Sequence, residues 1–94
     1  MLRFEWDASK AERNLEKHGV SFEIASLVFE NPLAVIFPDT EHSDFEPREI
    51  LLGYTKKSIL LLISFTEPEL GVVRIISARE ATKKEEIIYV QHLG

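Results

Sequence analysis

The stretch Gly71 to Arg79, which reads GVVRIISAR, decides how this chain folds. Its β-branched residues predict a strand in the core of a sheet. The stretch carries Arg74 in its interior and ends on Arg79, and an arginine within an apolar strand is costly unless it has an ionic partner or a ligand. It therefore predicts a strand that secures the fold and also presents arginine.

The two arginines face a geometric condition. Strict alternation of side chains along a strand places Arg74 and Arg79 on opposite faces of the sheet. Both can serve one phosphate site only if the strand breaks or bulges near Ser77. The alternative is that Arg74 forms a cross-strand ion pair with Glu46 or Glu49 and only stabilises the fold, and the residues alone leave both readings open.

The rest of the sheet is built around this strand. Strand-like runs occur at 33–37, 49–54 and 58–65. The run 58–65 is apolar on both faces, which is typical of a central strand. The short connectors at 55–57 and 66–70 predict hairpins, and successive hairpins imply an antiparallel meander.

Helix signals occur towards both ends of the chain. Asp7 and Ser21 are suitable N-cap residues, and Thr82 to Glu85 matches a capping box. The predicted helices cover residues 8–18, 22–29 and 82–92. With a short strand at 4–6, the fold class is α+β: an antiparallel sheet of about four to five strands, two N-terminal helices and one C-terminal helix, in the order β-α-α-β-β-β-β-α.

The first helix is predicted to be amphipathic. Ala8, Ala11 and Leu15 should form its buried stripe, with Asn14 and His18 at the border of that stripe. The simplest role for His18 is a hydrogen bond to a backbone carbonyl at the end of the helix.

Composition restricts the class of protein. We expect one domain over residues 1–94, since 45% of the residues are hydrophobic, which is enough for one core. The absence of cysteine, of a signal-peptide pattern and of any apolar run that could span a bilayer favours the cytoplasm and no membrane contact. The formal net charge of −5 opposes broad attraction to nucleic acid, so any polyanion site must be a local basic patch.

An acidic loop at 39–46 groups one histidine with four carboxylates. Hard divalent metals accept such ligands, which makes a metal-dependent hydrolase a distant alternative. The spacing matches no established metal motif, so we predict no metal site. His42 and Glu46 remain candidates for residues at the edge of a catalytic site.

A basic set is the second candidate for chemistry. It comprises Lys10, Arg13, Lys17, Arg48, Arg74, Arg79, Lys83 and Lys84. If such a patch binds RNA, cleavage without a metal is chemically reasonable. The ribose 2′-hydroxyl attacks the adjacent phosphate, a base such as His18, His42 or Glu46 takes its proton, and arginines stabilise the developing charge. DNA lacks that hydroxyl and would be spared.

Several ordered motifs identify a family resemblance. They are Phe4-Glu5-Trp6-Asp7, Lys17-His18-Gly19-Val20-Ser21-Phe22, Asn31-Pro32-Leu33, His42-Ser43, Glu46-x-Arg48 and Arg74-Ile75-Ile76-Ser77-Ala78-Arg79-x-Ala81-Thr82. Together they cover nearly the whole chain, which resembles the BrnT toxin family.

This resemblance implies a RelE-like fold and a bacterial type II toxin that cleaves RNA without a metal or other cofactor and halts translation. It implies a BrnA-like ribbon-helix-helix antitoxin that neutralises the toxin, with operator DNA bound only through the antitoxin complex. A homodimer or a toxin–antitoxin heterotetramer is a possible assembly.

The resemblance also carries over a set of functional residues. The catalytic set is His18, Glu46, Arg48, Arg74 and Arg79. The RNA-binding set takes Lys10 and Tyr89 from the resemblance and adds Arg13, Lys17 and Lys83 from the basic set. Two features are unusual for an RNA-cleaving toxin of this family: the net charge is acidic, and the last helix carries the Glu85-Glu86 pair. They motivate an alternative function, a non-catalytic module that only binds the antitoxin.

Overall fold

A computed structural model describes residues 1–42 and 46–93 of the chain. Its elements follow the predicted order. They are β1 (Arg3–Glu5), α1 (Ala8–His18), α2 (Phe22–Val28), β2 (Val35–Asp39), β3 (Arg48–Tyr54), β4 (Leu60–Glu69), β5 (Val72–Glu80) and α3 (Lys83–Leu93), with a 3₁₀ turn at Thr40–His42. The α+β class is therefore confirmed.

The described strands form one sheet in the order β1-β5-β4-β3-β2. The meander from β2 to β5 is antiparallel and β4 is central, as predicted. One pairing differs from the expected antiparallel sheet, because β1 joins the outer edge of β5 in parallel and makes the sheet mixed. The predicted connector at 66–70 also differs, since β4 continues through Glu69 and the hairpin turns at Gly71, whose φ of +84° favours glycine.

Helices pack on both faces of the sheet. On one face, here called the helix-covered face, α1 and α2 pack over a core in which Phe22, Ala25 and Ile63 are completely buried. On the opposite face, here called the open face, Tyr89 of α3 packs with Leu62 and its neighbours. The residues of the acidic loop at 43–45 lie outside the described part of the chain.

The buried side of α1 corrects the predicted stripe. Leu15 is 51% exposed, whereas Asn14 is buried. The Asn14 side-chain amide donates to the carbonyl oxygens of Ala78 (2.8 Å) and Val20 (3.0 Å), and its oxygen accepts from the Ala78 amide (3.1 Å). Beyond Arg74 the edge of β5 no longer pairs with β1, so Asn14 takes the place of a strand partner there.

β5 contains a β-bulge near Ser77, which Arg74 and Arg79 require in order to lie on one face of the sheet. Ser77 pairs with Ser64 of β4, but Ile75 pairs with the next residue, Phe65, so Ile76 is the extra residue. The bulge reverses the alternation of side chains along β5. As a consequence Arg74 and Arg79 lie on the same face of the sheet.

Candidate functional site

The open face changes character along its strands. Beneath α3 it is apolar, where Leu52 and Leu62 pack with Tyr89. Beyond α3 it is polar and opens into a cavity of about 320 Å³. The cavity is lined by Asp39, Glu41, His42, Arg48, Ile50, Leu62, Ser64, Ser77, Arg79 and Glu85.

One row of side chains crosses this polar part of the sheet, and we call it the central row. Its members pair in register from β2 to β1 as Asp39, Arg48, Thr66, Arg74 and Glu5. Two cationic residues thus flank a hydroxyl, and a carboxylate stands at each end. The arrangement brings Arg48 and Arg74 to one face, with their Cα atoms about 10 Å apart because two strand spacings separate them.

Arg74 is held by carboxylates but is not buried. Its Nε donates to Glu5 Oε2 at 2.7 Å, and its Nη1 lies 3.6 Å from Glu46 Oε1. The Arg74 side chain is 46% exposed. The ion pair that the sequence suggested with Glu46 is therefore present, yet the guanidinium remains open to solvent and to a ligand.

Arg79 is held more tightly. Its two terminal nitrogens donate to the two carboxylate oxygens of Glu85, both at 2.8 Å. Glu85 also accepts from the Thr82 amide and closes the predicted capping box at the start of α3. The pKa of Glu85 is lowered to about 2, mainly by the hydrogen bonds from Arg79. The same pairing raises the pKa of Arg79. The pair ties β5 to α3 and borders the cavity.

A histidine and an aspartate meet at the rim of the cavity. His42 Nδ1 lies 3.0 Å from Asp39 Oδ2, and the His42 ring is exposed while the Asp39 side chain is largely buried. A carboxylate at Nδ1 fixes the ring orientation and favours the tautomer whose Nε2 accepts a proton. The geometry is that of an oriented general base.

Thr66 occupies the middle of the central row. It is 1% exposed, and within the described residues its hydroxyl oxygen is buried without a hydrogen-bond partner. An unsatisfied buried hydroxyl costs about 1–3 kcal/mol, so it calls for an explanation.

The other predicted residues are dispersed. His18 lines a separate, mainly apolar groove of about 820 Å³ beside Leu15 and Ile24, not the cavity with the arginines. The exposed α1 residues Lys10, Arg13 and Lys17 lie on the helix that packs on the opposite side of the sheet.

Two members of the predicted RNA-binding set are engaged within the protein. Tyr89 is 1% exposed, and its hydroxyl donates to the Leu33 carbonyl oxygen at 3.0 Å, which makes it a core residue. Lys83 is exposed and lies 3.1 Å from Glu86. Burial of Tyr89 was not evident from the sequence, because α3 carries apolar residues on most of its circumference.

Sequence reasoning missed Asp39 as a partner of His42 and gave Thr66 no role. Asp39 was counted only as one of the loop carboxylates, although its spacing of three residues from His42 was a usable signal. Thr66 was assigned to a connector, and nothing in its neighbours marks it. Over residues 1–42 and 46–93, no group of three or more acidic, histidine or cysteine side chains is arranged to hold a metal ion.

A family model described as "Ribonuclease toxin, BrnT, of type II toxin-antitoxin system" matches residues 6–85. The crystal structure of the Brucella abortus ribonuclease toxin BrnT superposes with a TM-score of 0.70 at 30% identity, over 88% of this chain and 100% of that chain. The comparison with curated proteins gives no match. In the described part of the chain, no helix is long and apolar enough to cross a membrane. The chain belongs to the BrnT family of ribonuclease toxins of type II toxin–antitoxin systems.

Proposed function

We propose that this chain is an endoribonuclease that cleaves RNA on its open face without a metal ion. The observation that carries the proposal is that the central-row arginines and the Asp39–His42 pair lie on one face, where Asp39, His42 and Arg48 line the same cavity. Family membership supports ribonuclease activity, and the geometry supplies a candidate base and arginine donors for the phosphate.

The proposed reaction is an internal transesterification. His42 Nε2 takes the proton of the ribose 2′-hydroxyl, whose oxygen forms a bond to the adjacent phosphorus. The bond from phosphorus to the 5′-oxygen breaks, and that oxygen takes a proton from solvent. Arg48 and Arg74 offer planar donor pairs to the phosphate oxygens as negative charge builds up. The products are a 2′,3′-cyclic phosphate and a 5′-hydroxyl end.

The positions of the three candidate bases from the sequence favour His42. His42 is at the cavity and is oriented by Asp39. Glu46 is close to Arg74 and serves as a second candidate. His18 lines the other groove, so the proposal does not use it.

Membership of a type II toxin–antitoxin family implies an antitoxin partner. We propose that this partner is a BrnA-like ribbon-helix-helix protein and that RNA cleavage halts translation when the antitoxin is absent. Operator DNA would then be bound through the antitoxin, in keeping with the toxin's net charge of −5.

The test incubates purified protein, free of antitoxin, with RNA and with matching DNA in excess EDTA. We expect RNA fragments with cyclic phosphate ends and intact DNA. His42→Ala should lower the cleavage rate by about 10²–10⁴-fold. Lys57→Ala, an exposed change in the β3–β4 hairpin, is the control and should cleave normally. Intact RNA at high protein excess would overturn the proposal.

A second candidate function is a non-catalytic antitoxin-binding module. The observation in its favour is that two arginines already form ion pairs with carboxylates, Arg79 with Glu85 and Arg74 with Glu5. It predicts normal growth when the chain is expressed alone, whereas growth arrest that depends on His42 would refute it.

A further inference from the structure

The hydroxyl of Thr66 is a feature of the open face to which the preceding mechanism gives no role. Throughout residues 1–42 and 46–93, it is the buried side-chain polar atom that lacks a hydrogen-bond partner. The side chain is almost completely buried at the centre of the sheet. Such a group calls for an explanation, and a bound water, ion or ligand is one.

The neighbours of Thr66 indicate the chemistry of that missing partner. Arg48 and Arg74 flank it on the adjacent strands, and all three side chains lie on the open face. Guanidinium groups are donors only, and a threonine hydroxyl can donate as well. Three donors on neighbouring strands of one face suit an acceptor with several oxygens, such as a phosphate.

The backbone around Thr66 is irregular on both sides. The register of β4 with β5 shifts at the bulge at Ile76 and shifts again after Thr66. Only two residue pairs lie between these shifts, and one of them is Thr66 with Arg74. β-Bulges redirect side chains and are enriched next to functional sites. The second shift therefore adds to the view that this segment of sheet is shaped for a ligand.

Arg74 has the freedom that an incoming anion requires. Its contact with Glu46 is long at 3.6 Å, and nearly half of its side chain is exposed. Its contact with Glu5 is short at 2.7 Å. An anion can therefore replace Glu46 as a partner of Arg74 and leave the anchoring pair with Glu5 in place.

We propose that Thr66, together with Arg48 and Arg74, forms a binding site for one phosphate group, with the Thr66 hydroxyl donating to a phosphate oxygen. The proposal rests on the proposed function, in which that phosphate is the scissile phosphate of RNA. It adds a residue that directly contacts the phosphate and places that phosphate over the central row. Inorganic phosphate and nucleoside 3′-monophosphates should bind at the same place.

The test replaces Thr66 with valine, which has nearly the same shape but no hydroxyl. Binding of inorganic phosphate and of a nucleoside 3′-monophosphate is measured by NMR titration for wild type, Thr66→Val and Thr66→Ser. We expect Thr66→Val to bind about tenfold more weakly and Thr66→Ser to recover most of the affinity. RNA cleavage by the same variants should follow the same order.

Thermal unfolding separates this role from a structural one. Removal of an unpartnered hydroxyl should leave the midpoint temperature of Thr66→Val equal to or above that of wild type. Thr55→Val is the matched control, because Thr55 Oγ1 accepts hydrogen bonds from the amides of Lys57 and Ile59. The control should lower the midpoint temperature and leave phosphate binding unchanged.

The outcomes are distinct. Equal phosphate binding by wild type and Thr66→Val overturns the site, as does a loss of stability in Thr66→Val comparable to that of Thr55→Val. If Thr66→Val weakens phosphate binding while wild type leaves RNA intact, the site stands and the ribonuclease proposal fails. If wild type cleaves RNA and Thr66→Val cleaves it equally well, the ribonuclease proposal stands and the site fails.

Discussion

The two faces of the sheet are built on different physical principles. On the helix-covered face, apolar side chains fill the space below α1 and α2. The nitrogen and the oxygen of the buried Asn14 side-chain amide both have hydrogen-bond partners in the protein. On the open face beyond α3, two arginines flank Thr66 with a carboxylate at each end of the row, and among the described residues the Thr66 hydroxyl has no hydrogen-bond partner. The difference teaches that apolar packing on the helix-covered face and beneath α3 lets the fold keep charged, incompletely satisfied groups on the open face beyond α3.

The largest expected effect on stability is on the helix-covered face. Asn14→Leu keeps a similar volume but leaves the Ala78 amide and carbonyl without their side-chain partner. We expect a loss of about 2–3 kcal/mol in the free energy of unfolding, because those groups stay buried. Denaturant unfolding measures it. The exposed change Glu12→Ala on the same helix is the control, and a loss for Asn14→Leu no larger than the control's would remove the distinction between the faces.

An intermediate effect is expected where the open face meets α3. Glu85→Gln weakens the pairing with Arg79, and we expect it to cost about 1–2 kcal/mol at neutral pH, after allowance for solvent screening of this partly exposed pair. The pKa of Glu85 is lowered from 4.5 to about 2, so the carboxylate stabilises the fold fully above pH 4.5 and loses that contribution as the pH falls towards 2.

The pH dependence of unfolding provides the check on Glu85. The stability difference between wild type and Glu85→Gln should shrink between pH 4.5 and 2. Glu86→Gln, which loses a surface pair with the exposed Lys83, should change stability by no more than about 0.5 kcal/mol. A difference between wild type and Glu85→Gln that is constant over this pH range would contradict the assigned pairing.

Among Asn14, Glu85 and Arg74, the smallest effect on stability is expected for Arg74 in the central row. Arg74→Ala removes exposed ion pairs, which contribute at most about 1 kcal/mol. The same change should lower RNA cleavage by about 10²–10³-fold, since it removes a donor to the phosphate. Parallel unfolding and cleavage measurements decide the point. If Arg74→Ala unfolds the protein as readily as Asn14→Leu does, the arginine is structural and the contrast between the faces fails.

Much of the fold could be predicted from local signals. The caps at Asp7 and Ser21 and the capping box from Thr82 to Glu85 mark the helix starts correctly, because capping is a hydrogen bond between neighbours in sequence. The parallel position of β1 could not be predicted in this way. It depends on which strand edge remains free once the meander has formed.

The site was predictable only in part. Arg74 and Arg79 stand out in the sequence because charge within an apolar strand is costly, but the assignment of Tyr89 to RNA binding placed a core residue at the surface. The apolar residues around the circumference of α3 do not indicate which side faces the sheet. The pairing of His42 with Asp39 depends on the 3₁₀ turn between them, whose geometry the composition of the acidic loop does not reveal.

The sequence by itself determined the order of the elements, the central position of β4 and the need for a bulge near Ser77 if both arginines serve one site. These follow from periodicity and capping, which are local properties. Only the tertiary structure decided that the bulge falls at Ile76, that the central row brings Arg48, Thr66 and Arg74 together, and that His18 lies apart from them. The physical reason is that strand register and the packing of helices on each face depend on contacts between residues far apart in the chain.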